Sequence, residues 1–518
     1  MSYLSTRIKI FLFRLLYRPA NRRALLLALA LVTIAFLTLF HRASSIPAAA
    51  SKIRSRVAAV AVKRSEVDDQ HILHRDHPHH REEVPLKKIG DDTERVVLAK
   101  PGETFITYLP HSGFNNQRIE LENAILLAHY LNRTLIVPPV FLGDGIQWRP
   151  FDDLSEFFAV NRTRSLSQIR RCSNAARRFG PPVPGTPTAD LDPDCVDFAS
   201  WTTLPWSFFF DFNKLSDTFG MRFVHRSDLH PRWFTRALAI QDPQSSPQIR
   251  YIKDTLRNDY RIYDLPGFNP NLGKYSRKLF LDRLALVRAP VMHFGSLFGN
   301  GRVRVDVPAH KVFYGLLESS LILSNPTLHR AAMDIVNQLG GKGRFVALHV
   351  RLGDGYFSQH IDKTLKAVIT ALDKAIPNPL NTRRPQSFHL RPTSVHDRLD
   401  YCRKAELPVL YMATDAPNPA FNQRLKPLYV RHAFCIFTYA EFPYAGWLDV
   451  DNSPALGGAA DGVKLRPFLE PLVDGIVAGF GSQVIGTPGS TFSAFVERLN
   501  EAWVGGARKQ DDKGDADV

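Results

Sequence analysis

The sequence predicts an α/β protein with a binding site where parallel strands end. Three apolar runs lead directly into polar residues, at positions 345–354, 408–415 and 482–493. Short apolar runs bounded by turn residues are typical of buried strands. In open α/β sheets, ligands collect outside the carboxyl ends of such strands. The three runs therefore predict one binding edge in the second half of the chain.

The N-terminal leader carries most of the excess positive charge. Residues 1–64 hold twelve Lys or Arg and no Asp or Glu, so the net charge of +16 falls to +4 beyond residue 64. A nearly neutral body without a binding motif argues against a nucleic-acid partner. The remaining length, with 44% apolar residues overall, can support two or three domains with proper cores.

Residues 24–40 form an uncharged apolar run of seventeen residues, at the short end of what spans a bilayer. We interpret this run as a signal anchor with residues 1–23 as a cytoplasmic tail, since more basic residues precede it than follow it. A signal peptide cleaved after Ala50 and a mitochondrial leader are the alternatives. Residues 41–95, which include a His-rich stretch at 71–80, predict a disordered stem, and residues 506–518 predict a disordered tail.

A strand, a loop, a helix and a second strand are predicted at positions 104–140. The loop is His111-Ser-Gly-Phe-Asn-Asn-Gln117, after which apolar residues recur at helical spacing. Gly113 would let the backbone approach a ligand. Asn115 and Asn116 could cap the helix or donate to a bound group. Residues 201–301 show no clean period and predict only mixed structure.

The strand ends in the second half carry residues suited to a nucleoside diphosphate. Arg351 offers a planar fork of donors for phosphate, and pairing with Asp354 is the alternative. Ser490 and Thr491 lie where a helix is predicted to begin, so they could hold an anion or simply cap that helix. Asp474, in a predicted helix at 473–480, could accept the N–H pair of guanine or serve only as an N-terminal helix acid.

The cysteines and the glycosylation sequons are interpreted for a chain that enters a secretory compartment. The cysteines show no metal-binding or redox spacing, so two disulfides are predicted. The local pairs are the simplest connectivity, and buried free thiols are the alternative. Asn161 is the favoured glycosylation candidate, because the sequon at Asn132 lies between a helix and a buried strand. The cysteines are Cys172, Cys195, Cys402 and Cys435.

Four motifs together resemble a known family. They are the loop at 111–117, His349-Val-Arg-Leu-Gly-Asp354, Tyr411-Met-Ala-Thr-Asp415 and Ile485-Gly-Thr-Pro-Gly-Ser-Thr-Phe-Ser493. In this order they resemble the GDP-fucose protein O-fucosyltransferases and related fucosyltransferases. The resemblance implies a GT-B fold, with two Rossmann-like domains facing across a cleft. The acceptor-side domain would be residues 96–300 and the nucleotide-sugar domain residues 301–505.

The same resemblance implies a reaction and a set of site residues. The reaction would be inverting, metal-independent transfer of fucose from GDP-fucose, the donor substrate, to a hydroxyl of a protein or glycan, without a cofactor. Arg351 would stabilise the charge that develops on the β-phosphate, and Asn116 matches an active-site Asn of one branch. The residues implied in donor binding are Gly113, Asn115, His349, Asp354, Asp474, Ser490, Thr491 and Phe492.

One position departs from another branch of the family, where a Glu of the first loop is the general base. Ser112 stands at that position and cannot act as a base at neutral pH. Three hypotheses stay open: transfer without a strong base, His111 as a substitute base, or loss of activity.

Two other classes of function remain as alternatives. A metal-dependent GT-A transferase would use Asp190-Leu-Asp192 or Asp449-Val-Asp451, although neither follows a clear buried strand. A non-catalytic protein could bind a ligand in the same cleft. For the main hypothesis we expect a single-pass type II protein of the Golgi or endoplasmic reticulum membrane, with the catalytic part in the lumen.

Overall fold

The computed structural model describes residues 100, 102–143, 145–161, 172, 195, 200–265, 271–353, 355–376, 394–432, 435–442, 463 and 465–505. These residues fall in one compact unit, Lys88–Val518. No helix within these ranges is long and apolar enough to cross a membrane. The predicted anchor, stem and C-terminal tail lie outside the described residues, as do Asp354 and both Asp-x-Asp motifs.

The regular elements alternate between strand and helix along most of the chain. The described strands are β1 (Phe105–Thr107), β2 (Thr134–Val137), β3 (Val140–Gly143), β4 (Trp201–Leu204), β5 (Phe223–His225), β6 (Ile249–Ile252), β7 (Tyr260–Tyr263), β8 (Arg277–Phe280), β9 (Val291–Phe294), β10 (Val303–Arg304), β11 (Val346–Val350), β12 (Leu410–Thr414), β13 (Ile436–Phe437) and β14 (Val484–Gly486). The described α-helices are Phe114–Tyr130, Phe151–Asn161, Phe212–Phe219, Trp233–Leu238, Leu281–Ala285, Pro308–Ser320, Pro326–Gln338, Gly355–Gln359, Ile361–Ala375, Val395–Lys404, Lys426–Arg431, Arg466–Gly479 and Thr491–Val504.

The first half of the described chain contains a five-stranded parallel sheet in the order β5-β2-β1-β9-β6. The predicted strand, helix and strand at 104–140 are β1, the Phe114–Tyr130 helix and β2. The helix turns Leu121, Ala124, Ile125 and Ala128 into the core, where each is buried. Three shorter strands form a parallel sheet in the order β10-β7-β8, and β3 pairs with β4 in antiparallel fashion.

The second half contains a four-stranded parallel sheet in the order β13-β12-β11-β14. This confirms the α/β prediction, and it places all three predicted strand ends at one edge because β11 pairs with both β12 and β14. Alternate residues of β11 point to opposite faces. Leu348 and Val350 pack towards the Ile361–Ala375 helix, whereas Ala347 joins the core that contains the helix residues Val473 and Val496.

One predicted helix has different bounds from those expected. The helix predicted at 473–480 runs from Arg466 to Gly479, with Pro471 inside it. The helix therefore begins seven residues earlier than expected, although a proline inside a helix removes one of its hydrogen bonds. Burial of apolar residues such as Leu469 and Ile476 against the sheet sustains the earlier turns. Asp474 therefore lies in the third turn, and its interpretation as an N-terminal helix acid is wrong.

Two disulfides join local pairs of cysteines. Cys172 bonds to Cys195 across a Cα–Cα distance of 5.3 Å. Cys402, near the end of the Val395–Lys404 helix, bonds to Cys435 just before β13, across 5.8 Å. The second bond fixes that helix beside the edge strand of the sheet that carries the candidate site.

Candidate active site

The end of β11 is held rigidly by the segment after β14. Thr487 Oγ1 donates to the carbonyl oxygen of His349 at 2.9 Å and accepts the backbone N–H of Arg351 at 3.0 Å. His349 Nδ1 lies 2.6 Å from Ser493 Oγ, and the His349 ring stacks on Phe492 with centroids 4.8 Å apart. These contacts orient the residue that follows the strand.

His349 is a neutral group in this environment. Only 5% of it is exposed, and burial followed by the positive charge of Arg351 lowers its pKa from 6.5 to about 3. Removing a charged form from water favours the neutral imidazole. His349 can therefore make a hydrogen bond to a ligand hydroxyl, but it brings no charge to a phosphate.

Arg351 is oriented by Asp415, which follows β12. Arg351 Nε lies 3.2 Å from Asp415 Oδ2, and about a third of the Arg351 side chain is exposed. The Asp415 carboxylate also accepts the backbone N–H groups of Leu352 at 2.7 Å and Gly353 at 2.9 Å. A Cβ atom on residue 353 would lie 2.6 Å from Asp415 Oδ2, so a side chain there would displace the Asp415 carboxylate. The guanidinium is thus anchored at its base on a fixed turn.

The helix Thr491–Val504 begins beside this turn. Ser490 is its N-cap, and the Ser490 side chain accepts the backbone N–H of Ser493. The capping role considered for Ser490 is therefore real, and it leaves the first N–H groups of the helix pointing outward. Such N–H groups and the helix dipole attract anions.

A second helix N-terminus meets the first. The Phe114–Tyr130 helix begins after Gly113. As a glycine, this N-cap residue has no side chain to accept a capping hydrogen bond. In its first turn, Asn116 Oδ1 accepts a hydrogen bond of 3.0 Å from Thr491 Oγ1. Two positive helix ends therefore meet, and the segment that leads into one of them holds the backbone of Arg351 through Thr487. This arrangement favours a group with several negative charges. Asn115 is buried, and its Oδ1 has no hydrogen-bond partner among the described residues.

Asp474 lies at the carboxyl end of β12. Tyr411 Oη donates to Asp474 Oδ1 at 2.5 Å. Burial raises the pKa of Asp474 from 3.8 to about 7, and hydrogen bonds from Tyr411 and from the backbone of Thr414 act in the opposite direction. Gly475 lies against Phe492, where a Cβ atom would come within 2.9 Å of the ring. Phe492 thereby links Asp474 to His349.

A separate polar cluster lies at the carboxyl edge of the first sheet. His111 follows β1 and Ser296 follows β9, and these two strands are paired. His111 Nε2 lies 2.6 Å from Ser296 Oγ and 3.3 Å from Glu120 Oε1. His111 Nδ1 lies 2.7 Å from Ser112 Oγ. His111 is 1% exposed, so the candidate base is placed behind Ser112 and not at the surface of the site.

The structure brings together most of the residues singled out in the sequence. Asp354 cannot be placed, because it lies outside the described residues, and so does the side chain of the glycosylation candidate Asn161. The residues grouped around the end of β11 are Asn116, His349, Arg351, Asp474, Ser490, Thr491 and Phe492.

Sequence reasoning missed the residues that hold this group in place. Asp415, Thr487 and Ser493 belong to the quoted motifs, but their partners are distant in sequence. The only sequence signal for Asp415 is that it directly follows an apolar run. Within the described ranges, no group of three or more His, Cys, Asp or Glu side chains is arranged to hold a metal ion.

Comparison with known proteins gives one short sequence match. No protein-family model matches the chain. The chain is 59% identical over 39 residues to O-fucosyltransferase 30 of Arabidopsis thaliana, and this stretch spans only 8% of each protein. The resemblance to O-fucosyltransferases that the motifs indicate is therefore confirmed over those residues.

Solved structures give more distant matches. A structure of POFUT1 in complex with GDP is 13% identical, with 78% of this chain and 96% of that chain covered and a TM-score of 0.35. A structure of an Arabidopsis thaliana FUT1 mutant in complex with GDP is 11% identical, with 77% of this chain and 68% of that chain covered and a TM-score of 0.34. Scores of this size leave the fold to be argued from the sheets themselves.

Proposed function

We propose that this protein is a fucosyltransferase of the GT-B type that moves fucose from GDP-fucose to a hydroxyl of a protein or glycan. The observation that carries the proposal is the contact of two helix N-termini through Asn116 and Thr491, beside the Thr487 segment that holds the backbone of Arg351. The choice of fucose is supported by the name of the curated relative, O-fucosyltransferase 30.

The diphosphate of the donor would bind between Arg351 and the helix N-terminus at Thr491. The guanidinium can donate two parallel hydrogen bonds to phosphate oxygens, and the backbone N–H groups of the helix supply further donors. Asp415 sets the direction of the guanidinium before the donor arrives, because its carboxylate also holds the adjacent turn. A preformed site of this kind avoids reorganisation when charge develops.

Asp474 would select the nucleobase of the donor. An ionised carboxylate accepts the two adjacent N–H groups of guanine, a pattern that uracil does not offer. The neutral His349 nearby is suited to a ribose hydroxyl, since its pKa of about 3 keeps it uncharged. These contacts would favour a guanine nucleotide over a uridine nucleotide.

The transfer step would be a single displacement with inversion. The acceptor oxygen forms a bond to the fucose C1 as the bond from C1 to the β-phosphate oxygen breaks, and GDP leaves with the electron pair. Arg351 and the helix N-terminus stabilise the negative charge on the leaving diphosphate. We propose that these groups do this without a divalent metal.

The compartment would be the lumen of the Golgi or endoplasmic reticulum, with residues 24–40 as the membrane anchor of a type II protein. The apolar run and its basic flank support this proposal, and so do the two disulfides, which persist in oxidising compartments. Protease protection of the full chain in sealed microsomes tests it. We expect the region around residue 500 to be protected from the protease and the N-terminus to be digested. The reverse pattern contradicts the proposal.

Thermal unfolding of the purified full chain tests the donor. We expect a rise in Tm with GDP-fucose that UDP-sugars do not produce and that EDTA does not remove. Binding that EDTA abolishes would instead favour a metal-dependent transferase. Absence of any effect from guanine nucleotides contradicts the proposal.

A non-catalytic binding protein is the second candidate, because Ser112 stands where one branch of the family has a base. Stabilisation by GDP-fucose without any GDP release on prolonged incubation would favour it. Labelled GDP-fucose incubated with the full chain distinguishes the two candidates.

A further inference from the structure

We propose that Glu120 receives the proton of the acceptor hydroxyl, and that the proton travels through Ser112, His111 and Ser296. Ser112 Oγ would touch the acceptor and is the catalytic residue, while the other three act through it. This inference rests on the proposed function and extends it. It explains how a loop with Ser112 in place of a carboxylate can still deprotonate an acceptor.

The hydrogen bonds of Ser296 fix which group donates and which accepts at each step of the proton relay. Ser296 Oγ accepts the backbone N–H of Phe298 at 3.1 Å, which leaves one lone pair and one hydrogen. The hydrogen is donated to Glu120 Oε1 at 3.2 Å when that carboxylate is ionised. The remaining lone pair then accepts the Nε2–H of His111 at 2.6 Å.

This tautomer leaves the lone pair of His111 on Nδ1. Nδ1 accepts the O–H of Ser112 at 2.7 Å, because a neutral imidazole has one donor and one acceptor nitrogen. A hydroxyl has two lone pairs, so Ser112 Oγ can accept the hydrogen of an incoming acceptor while it donates to His111. All four groups are thus aligned in one direction.

The protons balance when each link moves one hydrogen. The acceptor proton passes to Ser112 Oγ, the Ser112 hydrogen passes to His111 Nδ1, the Nε2 hydrogen passes to Ser296 Oγ, and the Ser296 hydrogen passes to Glu120 Oε1. The acceptor oxygen meanwhile bonds to the fucose C1 and GDP leaves with the electron pair. At the end Glu120 is a neutral acid, and His111 is still neutral in its other tautomer.

Burial and nearby charge make His111 the group that passes the proton on and Glu120 the group that finally accepts it. His111 is disfavoured as a cation, because burial lowers its pKa to about 3 with a smaller contribution from Arg302. Burial raises the pKa of Glu120 well above 4.5, which makes its carboxylate a stronger proton acceptor than an exposed one. Arg302 donates to the carbonyl oxygens of Phe298, Tyr260 and Arg257, and its buried positive charge favours the ionised carboxylate.

Ser112 lies at the border of the donor site. It is partly exposed, and its backbone N–H donates to Ile146 O at 2.6 Å while its carbonyl oxygen accepts from Gln117 Nε2 at 3.0 Å. Its φ of 65° is in the left-handed region, which a serine adopts only when the surroundings impose it. Asn116, one turn later, contacts Thr491 at the proposed diphosphate site.

The test uses the full chain and GDP-fucose, with water as the acceptor. Glu120→Gln keeps the size of residue 120 but cannot take a proton, and its amide can accept only one of the two hydrogen bonds that the carboxylate accepts from Ser296 Oγ and the His111 backbone N–H. We expect it to lower kcat for GDP release about 100-fold or more, with the KM for GDP-fucose changed less than about twofold. Ser112→Ala should lower kcat similarly. The double variant should be no slower than either single variant, because both changes interrupt the same proton relay. Glu103→Gln, at the opposite end of β1, should behave as wild type.

The pH profile separates a relay from a structural role. The wild-type kcat at saturating GDP-fucose, which does not depend on donor affinity, should fall as the pH drops and Glu120 becomes protonated, and this acid limb should be absent in Glu120→Gln. The solvent isotope effect should also shrink in Ser112→Ala. The other titratable or charged groups that face His111 and Glu120 are Tyr108, Asp254, Arg257 and Arg302.

Each outcome decides the proposal. Wild-type kcat and an unchanged acid limb in Glu120→Gln overturn it. If Glu120→Gln does not fold, the partly exposed Ser112→Ala carries the test, and an unchanged kcat there overturns it. A wild-type chain that neither binds nor hydrolyses GDP-fucose contradicts the proposed function instead, so the two failures are distinguishable.

Discussion

Donor affinity should depend on the ionisation of Asp474. In the free protein its pKa is about 7, since burial outweighs the hydrogen bonds from Tyr411 and the Thr414 backbone. The proposed contact with guanine needs the ionised carboxylate. Below about pH 7, binding must first remove a proton from Asp474, so the Kd for GDP-fucose should rise about tenfold for each further pH unit.

The magnitude follows from the pKa. Between about pH 7.5 and about pH 5.5 the ionised fraction of a group with a pKa of about 7 falls about 25-fold. The Kd should weaken by the same factor, which corresponds to about 2 kcal/mol.

Isothermal titration calorimetry of the full chain with GDP-fucose measures this effect. GDP-fucose is preferable to GDP, because the two phosphates of GDP-fucose are diesters and neither titrates near neutral pH. Asp474→Asn is the matched control, since Asn can still accept the Tyr411 hydrogen bond but cannot ionise. Its affinity should be weaker at about pH 7.5 and flat with pH. If the Kd of Asp474→Asn changes with pH as steeply as that of the wild type, or if the wild-type Kd does not change with pH, Asp474 does not bind the guanine base.

Two further predictions concern stability and coupling in the same site. A raised pKa in the folded state means that Asp474 favours folding below its unfolded pKa of 3.8 and that this contribution is lost as the pH rises through about 7. Asp474→Asn should therefore stabilise the donor-free chain above pH 7, by up to about 4 kcal/mol in urea unfolding, and equal stability at pH 8 contradicts this. Asn116→Ala and Thr491→Ala should show a coupling of about 1 kcal/mol in a double-mutant cycle of unfolding, since they share one hydrogen bond. Strict additivity contradicts that contact.

The sheet edge could be predicted from sequence, because its signal is local. Three of the four strands of the second sheet are apolar runs closed by polar or turn residues, as in the segment that ends at Arg351. Parallel strands that end alike bring those polar groups to one edge. The capping role of Ser490 could also be predicted, because N-cap positions have a strong residue preference.

The supporting contacts could not be predicted, because they depend on packing between distant segments. Asp415 binds the turn at Leu352 and Gly353, some sixty residues earlier in the chain. Glu120 is one of two acidic residues in its helix, and nothing in its sequence neighbourhood places it beside Ser296. The start of the helix around Asp474 could not be predicted either, because its first turns are sustained by burial of residues such as Leu469 against the rest of the core.

Arg351 is the group proposed to stabilise the leaving diphosphate. The turn around it should survive Arg351→Ala, because Asp415 keeps its bonds to the backbone of Leu352 and Gly353. The most direct measurement is the single-turnover rate of GDP release from GDP-fucose in wild type, Arg351→Ala and Arg351→Lys. We expect Arg351→Ala to be at least about 100-fold slower with an unchanged Tm, and Arg351→Lys to recover only part of the rate, since Lys keeps the charge but not the fork. Wild-type rates in both variants would contradict the account.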